Sequence, residues 1–174
     1  MKKGDKEGQF YLLTTVLIIA MIGGFILISN FSQKRIDIKF DYLGEELNIE
    51  SEKVIDYGIN NNKDIKALLE NFTKTYSPYS EAENSYFVFG NREIITLAGY
   101  KKLNSGSIFI NVGSGNQELI LNKGVYNSIE LINPQENIKV TVNEIGYDFS
   151  LKSGENFYFI LSKELEGEIY IIRN

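Results

Sequence analysis

The sequence has no histidine, no cysteine and no tryptophan, and only two prolines in 174 residues. Without imidazole or thiolate, mechanisms that use either as base, nucleophile or redox centre are excluded, as are zinc sites built from them. No disulfide can form, so the fold relies on its own packed core. Positive charge is in deficit too: 18 Lys and Arg stand against 23 Asp and Glu, a formal charge of −5. That balance argues against a nucleic-acid partner, whose phosphates select basic surfaces. The length allows one modest domain with a tail, not two full-sized ones.

What is present is unevenly placed. From Gly8 to Gln33 no residue is charged, and Phe10–Ile28 is apolar apart from Thr14 and Thr15. Their hydroxyls can bond back to helix carbonyls. As a helix, this 19-residue run would span roughly 28 Å at about 1.5 Å per residue, close to a hydrocarbon core of about 30 Å. The expectation is a transmembrane helix over 9–33. A cleaved secretory signal has a shorter apolar stretch and a small-x-small cleavage site, which Ile28-Ser29-Asn30-Phe31-Ser32 matches poorly. Basic residues do not orient the span, because Lys2, Lys3 and Lys6 before it equal Lys34, Arg35 and Lys39 after it. Beyond residue 33, fifteen basic and twenty-one acidic residues leave a body at −6.

The charged leader Met1-Lys2-Lys3-Gly4-Asp5-Lys6-Glu7 ends in Gly8, with Gln9 and the apolar run behind it. This arrangement resembles the class III signal peptide of archaeal type IV pilin-like proteins, over about the first 30 residues. Leu13 stands where bacterial pilins carry a glutamate, and Glu7 where many archaeal leaders carry a base. The resemblance implies a leader over 1–8, cut by a membrane peptidase between Gly8 and Gln9, and a helix retained in the bilayer. It also implies a body outside the cell, with lipid, the leader peptidase and like subunits as partners. An unbranched glycine before the cut leaves the backbone accessible.

After the span, residues 34–84 read as an extended link followed by helices. Ile36-Asp37-Ile38-Lys39-Phe40-Asp41-Tyr42 alternates strictly, a strand signal. The 3-4 spacing of Phe40, Leu43, Leu47, Val54 and Tyr57 then predicts a helix over about 41–59, stopped by Gly58 and Asn60-Asn61-Asn62. Asp64 is placed to cap a second helix, Ile65 to Tyr76, which Ser77-Pro78 should close. From Ser85 the pattern changes to about nine short strands with Gly- and Asn-rich turns, among them Gly90-Asn91, Gly113-Ser114-Gly115-Asn116, and Glu166-Gly167. The predicted class is α+β: an N-terminal transmembrane helix, one or two short helices, then an antiparallel β-sandwich-like domain over 85–174. Tyr86, Phe87, Phe89, Phe109, Tyr147, Phe149, Phe157 and Tyr158 are the expected fillers of its core. The helices are expected to cover a sheet edge or link the domain to the membrane.

Residues that could carry chemistry are few. Glu45, Glu46, Glu50 and Glu52 lack the alternating oxygens and glycine turn of a calcium loop and read as a solvated helix face. Glu164-Leu165-Glu166-Gly167-Glu168 reads as a polar hairpin connection. A carboxylate pair could in principle hydrolyse sugars, but no motif selects one, and neither a catalytic residue, a metal ligand nor a cofactor is assigned. Two sequons, Asn30-Phe31-Ser32 and Asn71-Phe72-Thr73, are candidate N-glycosylation sites on an exterior body. Tyr79, Tyr100 and Tyr126 lie near predicted turns, where an adhesive or sugar-stacking side chain would sit. The resemblance therefore implies a pilin-like surface protein with a structural or adhesive role, standing alone or bundled with like subunits as a filament subunit. The alternative is a monomeric single-pass binding module or an accessory subunit of a membrane complex.

Overall fold

The computed structural model describes the backbone of residues 4–113, 115–165 and 167–174, and side chains outside 1–10, 26–39, 41, 114, 165 and 166. The chain divides into two units, Met1–Lys39 and Phe40–Asn174. The first unit is helical from Gly4, in the helix α1 (Gly4–Asn60). Among the described residues, the second unit contains the rest of α1, a second helix α2 (Ile65–Tyr79), and nine strands.

The backbone of residues 34–40 is helical, where strict alternation predicts an extended link. The physical reason is in the same residues. Ile36, Phe40, Leu43 and Leu47 also recur at 4-3-4 spacing, and a short alternating run flanked by helix on both sides follows the longer pattern. The end of α1 falls at its stop signals. Asn62 takes positive φ (53°), and the Lys63 N–H bonds the Gly58 carbonyl. Asp64 then caps α2, its carboxylate accepting from the Ala67 N–H at 3.0 Å. The helix runs through Ser77-Pro78 instead of closing there. Proline removes one donor in the last turn, yet the Ser80 N–H still reaches the Tyr76 carbonyl at 2.9 Å and closes it.

Nine strands follow: β1 (Asn84–Gly90), β2 (Ile94–Lys101), β3 (Gly106–Asn111), β4 (Asn116–Leu121), β5 (Tyr126–Ile132), β6 (Asn137–Val142), β7 (Ile145–Ser150), β8 (Asn156–Leu165) and β9 (Glu168–Arg173). They form a five-stranded sheet in the order β5-β2-β1-β8-β9 and a four-stranded sheet in the order β4-β3-β6-β7. Every pairing is antiparallel. The β1–β2 hairpin turns on Gly90-Asn91. Gly90 has φ +127°, and a side chain there would meet the Ile94 carbonyl oxygen at 2.3 Å. Asn91 Oδ1 accepts from the Glu93 and Ile94 amides and holds the turn closed. Two of the sequence's turn residues, Ser114 between β3 and β4 and Glu166 between β8 and β9, lie outside the described residues.

The domain has two cores. Between the sheets lie Tyr86, Val88, Ile95, Leu97, Ile108, Ile110, Val140, Tyr147 and Phe149 with their neighbours. On the other face of the five-stranded sheet, Phe87, Phe89, Ala98, Phe157, Phe159 and Leu161 pack against Phe40 and Leu47 of α1 and Leu69 of α2. The layers are therefore helices, five strands, four strands. The helices cover a sheet face rather than an edge. Each fully buried leucine here is worth about 1.5–3 kcal/mol relative to exposure.

This layering corrects the expected set of inter-sheet fillers. Side chains alternate along a strand, so Tyr86 and Phe87 point to opposite faces. Phe87, Phe89 and Phe157 therefore serve the helix-facing core. Phe109 is on the outer face of the four-stranded sheet and 41% exposed. Two close contacts fix the helical layer. At Gly44 a Cβ would meet Ile172 Cγ2 at 2.6 Å, and at Gly58 it would meet Ile65 Cγ1 at 2.7 Å. The α+β class with antiparallel, sandwich-like sheets thus stands, with a helical layer added. Among the described residues no helix is long and apolar enough to cross a membrane. Of the Phe10–Ile28 run, only residues 11–25 have described side chains.

Candidate functional site

The chemically distinctive stretch of the first unit is residues 11–25 of α1. It carries no charge. Its ten large apolar residues, from Tyr11 to Phe25, are each between 51% and 73% exposed. Exposure extends round the whole helix rather than along one stripe: Leu12, Leu13, Val16, Leu17, Ile18 and Ile19 differ in direction by the turn of the helix, and all are bare. The Thr15 hydroxyl donates to the Tyr11 carbonyl at 2.8 Å, so that polar atom is satisfied within the helix. Gly23 and Gly24 have no neighbouring atom within 4 Å of an added Cβ. Among the described residues of its unit, no side chain buries this apolar surface.

The side chains of the predicted cleavage pair, Gly8 and Gln9, lie outside the described residues, as does the leader's 1–3 backbone. The side chain of Asn30 is outside them as well. Asn71 is described. It is exposed on α2 and lines an open groove of about 380 Å³ with Lys53, Val54, Tyr57, Leu68, Phe72 and Thr75. The third residue of its sequon behaves differently. Thr73 is fully buried, donates to the Leu69 carbonyl at 2.9 Å, and shares a 2.7 Å hydrogen bond with the Tyr126 hydroxyl. The acceptor amide and the hydroxyl of one sequon thus lie on opposite sides of α2.

The three tyrosines picked out near turns separate in the same way. Tyr79 is 86% exposed, Tyr100 is buried, and Tyr126 is partly buried and bonded to Thr73. Burial pushes the Tyr126 hydroxyl up to about 12; the Thr73 hydrogen bond lowers it and the nearby Glu70 charge raises it. Tyr76 and Tyr86 are raised further, in each case chiefly by burial, with Glu46 adding at Tyr76 and Tyr147 adding at Tyr86. The hydroxyls of Tyr76 and Tyr86 have no hydrogen-bond partner among the described residues. These are groups held neutral by desolvation, not acids poised for proton transfer near neutral pH.

Glu45, Glu46 and Glu50 line a shallow open groove with Tyr42 and Ile49, and Glu50 pairs with Lys53 at 2.9 Å. No described carboxylate is buried, and no cluster of three acidic residues fit to hold a metal ion occurs among the described residues. The other ion pairs, Lys66–Glu130, Arg92–Glu136 and Lys163–Glu81, are at the surface and join separate elements.

Two anchors were not legible in the sequence. Arg92, in the β1–β2 turn, donates to the Leu151 carbonyl as well as to Glu136, and so ties the two sheets together. Asn174 donates to the Phe157 carbonyl and accepts from the Phe159 N–H, continuing the β8 ladder with a side-chain amide. It also donates to Asn48 on α1. Arginine and asparagine at such positions carry no local signal, because their partners are distant in sequence. No protein-family model, curated protein or solved structure matches this chain.

Proposed function

We propose that the chain is a pilin-like, membrane-anchored surface protein. Residues 9–33 hold it in the bilayer after cleavage between Gly8 and Gln9, and the β-rich domain faces outward as a structural or adhesive head in a filament. One observation carries this reading: fifteen successive uncharged helical residues, 11–25, bare their apolar side chains on every side. In water such a surface costs about 25 cal/mol for each Å² of apolar area; in lipid or among like helices it costs nothing of the kind. Helical backbone through 34–40 supports the same reading, since a pilin spine requires helix there.

The test is membrane extraction at alkaline pH, followed by N-terminal sequencing of the retained chain. Retention in the pellet with a start at Gln9 is the expected result. A chain released to the supernatant overturns the anchor, and a mature start at Met1 overturns the leader. The second reading, a monomeric tethered module or accessory subunit, is favoured by the completeness of the head, which closes two cores of its own. It predicts that the chain purifies with a different polypeptide in fixed ratio and does not polymerise.

A further inference from the structure

Most of the head's enclosed polar groups are small hydroxyls and amides, and one is a lysine. Lys101, at the end of β2, is 9% exposed. Gly106, at the start of β3, makes room for its ammonium: a Cβ there would meet Lys101 Nζ at 2.7 Å. Lys53, Lys66 and Lys163 each pair with a carboxylate, whereas Lys101 has neither an ion pair nor a side-chain hydrogen bond among the described residues.

A second cation stands beside it. Lys123 follows β4 and forms a backbone bridge with Lys101, and residues joined in this way set their side chains on the same side. It is exposed and also has no carboxylate partner among the described residues. Lys102 alternates to the opposite side, where its ammonium donates to the Ser80 carbonyl at 2.8 Å, so it is not part of the pair. Ser105 joins the two lysines instead. Its Oγ accepts from the Lys123 N–H at 3.0 Å, which leaves its own proton free to donate.

Residues 34–174 carry a charge of −6, so acidic partners abound, yet none is placed here. Enclosing an ammonium without a counter-charge is costly, and a second ammonium nearby adds repulsion. An anion held between the two removes both penalties. We propose that Lys101, Lys123 and Ser105 bind a phosphate group, either free or on a lipid headgroup. Separate ammoniums are point charges that approach from different directions, which suits the tetrahedral oxygens of phosphate. A planar carboxylate is met better by an arginine fork, and this site has no arginine. The site belongs to the head alone and depends on neither the leader nor the anchor.

The test titrates the full-length chain, dispersed in detergent, with inorganic phosphate at constant ionic strength, using chloride as the reference. The thermal midpoint should rise with phosphate as for a single site. Lys101→Met keeps an unbranched stem and loses no internal partner. Its midpoint without phosphate should equal or exceed that of the parent chain, while its phosphate affinity falls on the order of tenfold. Gly106→Ala keeps every charge, displaces only the ammonium tip, and should weaken the phosphate response to a similar degree. Acetylation of the Lys101 and Lys123 amines, read by mass spectrometry, separates the two sources. Protection in phosphatidylglycerol vesicles without added phosphate assigns a headgroup; protection that needs added phosphate assigns a free anion. Protection in neither case overturns the proposal, as does protection in phosphate-free galactolipid vesicles. A phosphate response that survives Lys101→Met overturns it too. So does a Lys101→Met chain that is less stable without phosphate, because the ammonium would then be part of the fold.

Discussion

Residues 11–25 and 40–60 of α1 share a helical backbone and little else. In the second stretch the apolar residues form a stripe: Phe40 and Leu47 are buried, Leu43, Val54 and Ile55 pack beside them, and Glu45, Glu46, Glu50 and Glu52 face outward. In the first, apolar side chains surround the helix, and each described one is exposed. The difference teaches what each stretch treats as solvent. A stripe is written for one wall of protein and one of water; residues 11–25 carry no charged side to set against water.

The sharpest test of that contrast is a single truncation in each stretch. Leu47→Ala should cost about 2–5 kcal/mol of head stability, because it empties a fully packed site. Leu17→Ala should leave the same denaturant midpoint within about 0.5 kcal/mol, since its side chain is 54% exposed and lies outside both cores of the head. Charge should reverse the ranking. On the proposed membrane-anchored reading, Leu17→Arg is expected to cost about 2.5–3.5 kcal/mol of insertion, read as chain lost from the alkaline-washed pellet. Ile49→Arg, on the exposed side of the second stretch, should leave retention unchanged.

Glycines separate the stretches more finely. Gly44→Ala forces Ile172 aside and should cost about 1–3 kcal/mol by thermal or chemical unfolding. Gly24→Ala meets no atom within 4 Å and should cost the head nothing. Of the substitutions expected to weaken the head, the mildest is Tyr126→Phe, about 0.5–1.5 kcal/mol for the lost Thr73 hydrogen bond. That tyrosine also sets an alkaline limit. Its folded value, pushed up to about 12, lies above the ordinary 10, so the neutral hydroxyl is favoured by folding. The stabilisation is whole below pH 10 and is lost as pH rises from 10 through about 12. Following tyrosinate absorbance in parallel with unfolding checks this, and Tyr126→Phe should lessen the loss, with Tyr76 and Tyr86 still contributing to it from the same onset.

Much of the head was legible in its residues. All nine strands fall where alternation and turn residues place them, because each hairpin is a local event with a local signal. The third layer was not legible. Tyr86-Phe87-Val88-Phe89 is continuously apolar, the mark of a strand buried on both faces, and that run was the available clue that something covers the second face. Which helix covers it is a long-range fact. The two local misreadings have different causes: the short alternation at 36–42 yields to helix on both sides, whereas Ser77-Pro78 stays in the last turn because the Ser80 N–H still reaches the Tyr76 carbonyl. For the candidate sites, residue type located the apolar run and the Asn71 sequon, but only packing reveals that Thr73 is spent on structure.

That last feature sets an order of events in time. A transferase that must grip the threonine hydroxyl of Asn71-Phe72-Thr73 finds it free only while α2 is unformed, because the folded helix commits it to Leu69 and Tyr126. Any sugar on Asn71 would thus be a record of how long the chain waited before folding. Occupancy should rise with Tyr126→Phe, which weakens the lock, and fall when α2 is made a faster-forming helix.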